Sequence, residues 1–249
     1  TVTRVIAVGG ASPGFHNLRF PVAMTVNTNS SGKAYGQIYI ADATPGPGPA
    51  SGVQAWIGVN TNNTDPSTWT NSVWTAASYI GEEFNDDNYE GTISGADRAP
   101  GTYYYATRFR LGTDASNTNY FYGGISPDGV GGNWGSTRTV DVITGGATNT
   151  VTYTNQNGVL AVVAVRDVTF AVDMSVQKFK GLFNPSNHTL QVRTGLDTPG
   201  YAEHALTNST GDIYEGTFAI DGADASTNLF KFYAAGINGL TWEGGDNRP

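Results

Sequence analysis

The chain carries one ordered set of short motifs twice. The tetrapeptide Tyr-Glu-Gly-Thr occurs at residues 89–92 and again at residues 214–217, followed each time by an aromatic segment. Two further matches flank it: "VQAWIGVNT" (53–61) with "LQVRTGLDT" (190–198), and "GNWGSTR" (132–138) with "LTWEGGDNR" (240–248). Chance supplies one such match easily but not three in the same order, so the sequence predicts two copies of one module.

The spacing between matching residues shortens along the chain. It is 137 residues between Gln54 and Gln191, but 108 residues between Trp134 and Trp242. Because loops tolerate changes in length better than strands do, we expect the same strands in both copies, with shorter connections in the second.

Alternating side chains predict what these strands look like. Residues 53–60, 102–111 and 168–174 each have two distinct faces at alternate positions, as half-buried strands do. Segments rich in Pro and Gly separate them, and no stretch has the apolar spacing of an amphipathic helix. The predicted fold class is therefore all-β, with two tandem antiparallel β-sandwich modules of immunoglobulin-like type.

The repeat also predicts the domain boundaries. We expect an N-terminal strand at residues 1–10, module 1 at residues 11–147 and module 2 at residues 148–249. The chain has no cysteine, so core burial rather than disulfide bonds must stabilise each module.

The charge of the chain limits its partners. Its formal net charge is −8, and its 13 Lys and Arg residues are scattered. Because phosphate binding needs clustered cations, we expect no nucleic-acid partner. No apolar run reaches the ~18 residues of a membrane span. The acidic composition, rich in Asn, Thr and Gly, favours an extracellular protein, secreted or at the cell surface.

No arrangement of residues recommends an enzyme. The three histidines, His16, His188 and His204, are far apart and lack metal-ligand spacing. A nucleophile elbow and a phosphate-binding loop are both missing. The sequence therefore predicts no catalytic residue and no cofactor. The oxygen-rich turns at residues 85–88 and 210–212 could contact Ca²⁺, but neither has the regular ligand spacing of a dedicated site.

Two segments of module 2 resemble a known family. They are "DVTFAVDMS" (167–175) and "NLFKFYAAGINGLTWEGGDNR" (228–248), with a Lys-bearing strand before a Trp-containing turn. This pattern is similar to the starch-binding carbohydrate-binding modules of family 20 type, which are small antiparallel β-sandwiches, and to starch-binding-like modules of secreted Bacteroidetes proteins. Module 1 resembles a domain common in the same secreted proteins.

The resemblance implies a sugar site in module 2. In that family a Trp stacks on the sugar ring while Lys and Asn side chains bond its hydroxyl groups; the matching residues here are Trp242, Lys231 and Asn247. A second aromatic residue usually stands in a Gly-x-Trp sequence after the preceding strand. This chain has Gly200 followed by Tyr201 there, and a Tyr ring can also stack on a sugar.

Module 1 offers Trp134 as the matching aromatic residue, and its nearest cation is Arg108. A structural role is an equal alternative for Trp134 and Trp242, because large aromatic side chains are mostly buried. Trp69 and Trp74 lie in a polar loop, where a subunit interface and a ligand contact are equal alternatives.

The two ends of the chain suggest how copies of it assemble. In the family, a closing strand follows the Trp-containing turn; module 1 has residues 139–143 there, whereas module 2 reaches Arg248 and Pro249 without one. The N-terminal "TVTRVIAVGGA" matches "TVDVITGGA" (139–147). We therefore expect a non-enzymatic structural subunit that donates residues 1–8 to the next copy, because strand addition satisfies the backbone groups of an open edge.

Such a head-to-tail contact does not close on itself and builds a filament. The predicted interface joins one copy to the next through Thr1, Val2, Val5, Ile6 and Val8 on one side and Arg248 and Pro249 on the other. Three alternatives stay open. The chain is a pair of starch- or glucan-binding modules from a larger secreted protein, it is a slice of a longer tandem array, or its N-terminal strand folds back onto its own chain.

Overall fold

Nearly all regular structure in the protein is antiparallel β-sheet. The computed structural model describes residues 12–112, 118–144, 147–195, 202–221, 229–236 and 241–242. In these residues the single α-helix has five residues. The predicted all-β class is confirmed, and the antiparallel sheets are consistent with a β-sandwich fold. Two compact units divide the chain, Thr1–Val162 (unit 1) and Val163–Pro249 (unit 2).

The described residues of unit 1 form twelve strands. They are β1 (Phe15–Phe20), β2 (Ala23–Asn27), β3 (Ser31–Tyr39), β4 (Val53–Asn60), β5 (Trp74–Glu83), β6 (Asp86–Ser94), β7 (Gly101–Leu111), β8 (Tyr120–Ile125), β9 (Gly131–Asn133), β10 (Thr137–Thr144), β11 (Ala147–Thr154) and β12 (Gly158–Val163). Two short 3-10 turns, Pro66–Thr68 and Asn71–Val73, lie between β4 and β5. The alternation at residues 53–60 therefore predicted a strand with the observed bounds.

Most of these strands belong to one sheet, which is divided into two halves at β5. The order is β1-β3-β6-β5-β4-β7-β12-β2, with β8 beside β7 and β9 beside β8. β5 belongs to both halves, because Ala77 pairs with Ala55 of β4 while the next residue, Ser78, pairs with Glu90 of β6. A strand that changes partners midway lets the two halves of a sheet pack face to face.

The core of unit 1 collects side chains from both halves. Leu18 and Ile93 from the β1-β3-β6 half pack with Ile57, Tyr105 and Leu160 from the β4-β7-β12 half. Ile57 and Val59 occupy alternate positions of β4 and both face this core, as expected of a strand with two distinct faces. The opposite face of β4 and β7 is therefore available for side chains that do not belong to this core.

A two-stranded hairpin lies outside this sheet. Among the described strands, β10 and β11 pair only with each other. The expectation that residues 139–143 close module 1 is therefore wrong. The strand beside β7 is instead β12, with Val159 opposite Tyr104. β12 comes from the longest apolar run of the chain, whereas β10 is rich in Thr, so burial favours β12 at this position.

The unit boundary differs from the expected one for the same reason. The repeat predicted that module 1 ends at residue 147, whereas unit 1 ends at Val162. Pairing between β12 and β7 holds residues 158–162 in unit 1.

The part of unit 2 that the structure describes forms two smaller sheets around a core of its own. Its elements are β13 (Val165–Asp173), α1 (Ser175–Phe179), β14 (His188–Thr194), β15 (Ala202–Ala205), β16 (Thr207–Thr210), β17 (Ile213–Asp221), β18 (Phe230–Gly236) and β19 (Thr241–Trp242). The sheets have the orders β13-β17-β16 and β15-β14-β18-β19. Phe170, Val192 and Phe232 are among the side chains that form the core.

The strand pairings of unit 2 follow the order seen in unit 1. β14 lies between β15 and β18, as β4 lies between β5 and β7, and β17 lies between β13 and β16, as β6 lies between β3 and β5. The Tyr of each Tyr-Glu-Gly-Thr motif, Tyr89 and Tyr214, is buried. These pairings support the interpretation that the units are copies of one module, which stays a prediction.

Candidate ligand-binding face

Four side chains form a row across the outer face of unit 1. Trp56 of β4 lies opposite Arg108 of β7, and Arg108 lies opposite Tyr122 of β8. Trp134 follows β9, and its backbone N–H donates to the carbonyl of Tyr122 at 2.8 Å, which extends the row by one position. Residues directly opposite on antiparallel strands share a face. Strands lie about 4.8 Å apart, so this aromatic row is about 14 Å long.

The middle of the aromatic row is a cation held among rings. The guanidinium carbon of Arg108 lies 4.2 Å from the ring centre of Tyr120, 4.5 Å from that of Trp74 and 5.0 Å from that of Trp56. Each distance is within the range in which a ring attracts a cation. The guanidinium therefore fixes the orientation of several aromatic rings at once.

Hydrogen bonds complete the surroundings of Arg108. Its Nη1 donates to Oδ1 of Asn71 at 3.0 Å, and its side chain also bonds the Tyr122 side chain. Arg108 is only 5% exposed, and its Nε has no hydrogen-bond partner. None of the ion pairs found among the described residues includes Arg108. Burial lowers the pKa of Arg108, but a guanidinium keeps its charge in proteins.

A second guanidinium lies one step along the same face. Arg110 is two residues from Arg108 on β7, opposite both Gln54 of β4 and Tyr120 of β8. Its Nε donates to Oε1 of Gln54 at 3.0 Å, and its guanidinium carbon is 5.5 Å from the ring centre of Trp56. The face thus combines two cations with half-buried aromatic rings.

The loop before β5 folds over one side of this face. Trp69 and Trp74 are 7% and 8% exposed and pack together against Ala106. Of the two alternatives left open for them, interface or ligand contact, neither describes their main role, because both rings are buried within unit 1. Asp65 begins the turn by accepting a 2.8 Å hydrogen bond from the N–H of Ser67.

The indole ring of Trp134 is held in place by hydrogen bonds that run through the side-chain amide of Asn157. Its indole Nε1 donates to Oδ1 of Asn157 at 2.9 Å. The amide nitrogen of Asn157 donates in turn to Oδ1 of Asn63 and to the carbonyl of Thr64, both at 2.9 Å. The ring is half-buried, so part of it stays accessible while its N–H is already bonded.

In unit 2, part of the implied sugar site lies within the described residues. Lys231 is opposite Arg193, and Trp242 is opposite Tyr233, two residues further along β18. The backbone therefore places Lys231 and Trp242 at neighbouring ladder positions. The rest of the predicted site and interface lies outside the described residues, namely Tyr201, Asn247, Thr1, Val2, Val5, Ile6, Val8, Arg248 and Pro249.

Burial decides the chemistry of the remaining ionisable groups. Asp87, from the turn considered for Ca²⁺, is fully buried, and its Oδ2 accepts a 2.8 Å hydrogen bond from the N–H of Ala50. Burial raises the pKa of Asp87 to about 6. Within the described part of the chain, no three His, Asp or Glu side chains are grouped as a metal site would need. Nor is any helix there long and apolar enough to cross a membrane.

The aromatic row was missed in the sequence because its members come from four separate segments. Alternation along each strand puts Trp56 on the face with Gln54, and Arg108 on the face with Arg110, but it does not reveal that β4 and β7 pair in this register. Compared with known proteins, the chain matches no protein-family model and no curated protein.

Proposed function

We propose that this protein is a non-catalytic, extracellular glycan-binding protein whose binding face is the aromatic row of unit 1. The observation that carries the proposal is the alignment of Trp56, Arg108, Tyr122 and Trp134 across adjoining strands. Sugar rings have apolar C–H faces that pack on aromatic rings, and burying those faces is favourable in water. Their hydroxyl groups need directional polar partners.

The outer face of unit 1 supplies both the aromatic rings and the polar groups that a sugar needs. Three rings are half-buried, those of Trp56, Tyr122 and Trp134. Each therefore keeps part of its surface exposed to a ligand, while the buried part packs against the protein and holds the ring in one orientation. Amide groups border them, from Gln54 on β4 and Asn71 in the loop. A fixed ring loses little freedom when a ligand binds, which lowers the entropic penalty of binding. The length of the row suits an oligosaccharide rather than a single sugar.

Affinity electrophoresis in gels that contain soluble polysaccharides, starch among them, tests this proposal. We expect retardation of the wild-type protein and its loss in Trp134→Ala and Trp56→Ala. Phe179→Ala is the matched control, because Phe179 is 93% exposed and lies in unit 2. Thermal melts of each variant establish that it is folded. Retardation that survives both row variants but disappears in Trp242→Ala would move the site to unit 2.

A second function, strand-mediated assembly of a structural subunit, is favoured by one edge of unit 2. β13 pairs with β17 over its whole length without a register shift, and no described strand lies on its other side. The opposite edge of the same sheet is β16, which has four residues and a register shift between Asn208 and Thr210. Natural proteins protect sheet edges with short strands and bulges, and residues 167–173 of β13 have neither.

Unit 1 gives a precedent for covering such an edge. β3 pairs with β6 as β13 pairs with β17, and β1 covers the outer side of β3. We propose residues 1–8 of a second copy as the strand that covers β13, since they alternate Val and Ile with Thr and Arg. The acceptor that we propose is therefore β13, whereas the sequence predicted Arg248 and Pro249 as the acceptor side of the contact.

Negative-stain electron microscopy of the full chain and of a chain that lacks residues 1–10 tests the second function. We expect filaments from the full chain and single particles from the truncated one. Added peptide of residues 1–8 should bind the truncated chain, because that chain has no N-terminal strand of its own to compete for β13. Equal assembly by both chains would exclude strand donation.

A further inference from the structure

We infer that the ligand of the aromatic row is an acidic glycan, in which a uronic-acid carboxylate binds Arg108. The inference rests on the proposed glycan-binding function and specifies its substrate class. Arg108 is a buried positive charge whose hydrogen-bond partners are uncharged. This guanidinium is 5% exposed, and its bonded partners are the neutral side chains of Asn71 and Tyr122.

A buried cation without a carboxylate partner is unusual. Removing a charge from water is unfavourable, and buried Arg side chains are ordinarily compensated by an ion pair. The rings of Trp56, Trp74 and Tyr120 offset part of this penalty through cation–π attraction. The unbonded Nε shows that the compensation is incomplete. An anionic ligand group would supply the negative charge that the described residues around Arg108 lack.

Asn71 marks where a carboxylate can reach Arg108. Its amide oxygen accepts the Nη1 hydrogen bond at 3.0 Å, yet Asn71 itself is exposed on a short 3-10 turn. An exposed side chain can rotate away and leave Nη1 to an incoming oxygen. The exchange replaces a neutral acceptor with a charged one, and charge-assisted hydrogen bonds are about twice as strong.

The rest of the face selects a sugar acid over other anions. Aromatic rings flank Arg108 within the row, so a ligand bound there must present flat apolar surface beside its charge. A uronic acid has both, in the C–H face of its ring and its carboxylate. A nucleic acid also has both, but the chain has a net charge of −8 and the face has two arginines, too few to attract a dense polyanion.

The test compares one polymer with and without its charge. Oligogalacturonate and the same oligomer with its carboxyl groups reduced to alcohols are titrated into the protein, with Trp fluorescence and isothermal calorimetry as readouts. We expect the acidic form to bind at least tenfold more tightly, and its affinity to fall as salt is raised. Oligothymidylate is titrated as the nucleic-acid comparison.

A matched pair of variants tests the role of Arg108 without removing it. Asn71→Asp places a carboxylate at the position that now holds the Nη1 acceptor, so it should weaken binding of the acidic oligomer at least tenfold. Asn62→Asp adds the same charge to the same loop, and Asn62 is not among the hydrogen-bond or ring partners found for Arg108, so it should change affinity less than threefold. Both are conservative in shape and preserve the loop.

The outcomes separate the inference from the function on which it rests. Equal binding of the acidic and reduced oligomers overturns the inference and leaves glycan binding in place. No binding of either oligomer or of the polysaccharides in the gels overturns both. Tighter binding of oligothymidylate than of oligogalacturonate also overturns both, because the face would then recognise nucleic acid.

Discussion

The ring of Trp74 lies directly on Gly58. The two residues are opposite each other on β5 and β4, and a Cβ atom at Gly58 would come within 2.6 Å of the indole ring. Real Cβ atoms do not approach that closely. The absence of a side chain at Gly58 is therefore what allows Trp74 to lie flat on the sheet and contact Arg108.

Gly58→Ala should displace Trp74 and disturb the face. Overpacking of this kind destabilises proteins by about 1–3 kcal/mol, and we expect that loss in urea denaturation. Trp fluorescence should change at the same time, because the indole leaves Arg108. If the clash is the cause, adding Trp74→Leu should recover part of the loss in a double-mutant cycle. Additive effects would show that Gly58 acts through the backbone alone.

Asn157→Ala should loosen Trp134. The substitution removes the acceptor of the indole N–H and the donor to Thr64, leaving partly buried polar groups without partners. Such a loss costs about 1–3 kcal/mol of unfolding free energy. Glycan affinity should also decrease, because the ring is no longer held. Asn155→Ala is the comparison, since Asn155 bonds Ser136 instead. If only Asn155→Ala weakens binding, Trp134 does not depend on Asn157.

The strands and their faces could be predicted from the sequence, because alternation is a local property. Residues 53–60 form β4 with those bounds, and Ile57 and Val59 are buried as expected. Pairing is not local. The resemblance to the starch-binding family suggested a closing strand at residues 139–143, but nothing in that segment indicated that β10 would pair, among the described strands, only with β11.

The candidate site was unpredictable for the same reason. Trp56 and Arg108 are 52 positions apart in the chain and meet only through the register of β4 and β7. The sequence does contain a partial signal, since Tyr120 and Tyr122 alternate in "YFY" as Arg108 and Arg110 do in "RFR". Two alternating pairs of this kind predict a shared face only when their strands are known to be neighbours.

His16 should make the protein less stable in mild acid. It is buried between the rings of Phe109 and Phe121, and burial lowers its pKa to about 4. An unfolded His takes up a proton below about pH 6.5, so between pH 6.5 and pH 4 the unfolded state binds more protons. Stability therefore falls as the pH is lowered through this window, by up to about 3 kcal/mol.

His16→Gln removes that titration while keeping a hydrogen-bond donor near the Tyr122 carbonyl, to which the imidazole bonds. Urea denaturation of both proteins at pH 4.5 and pH 7 measures the difference. We expect the stability advantage of the wild-type protein over the variant to be smaller at pH 4.5 than at pH 7. An advantage that is constant between the two pH values would show that His16 does not titrate differently in the folded state.

Asp87 should make the protein less stable as the pH rises, which is opposite to the effect of His16. Its carboxyl group is fully buried beside Tyr89, and burial raises its pKa to about 6, from an ordinary value of 3.8. Between these values the folded state keeps a proton that the unfolded state has lost, so stability falls as the pH rises from about 4 to about 6. Above that window the loss is complete and amounts to about 3 kcal/mol.

Asp87→Asn isolates this effect. The amide can still accept the hydrogen bond from the N–H of Ala50, and it carries no charge at any pH. Relative to the wild-type protein, the variant should gain stability steadily between pH 4 and pH 6 and keep that gain at pH 7. Urea denaturation across this range gives the difference directly, because the contribution of His16 is common to both proteins and cancels. Parallel stability curves would mean that Asp87 ionises in the folded protein as readily as in water, and that the carboxyl group is reached by solvent.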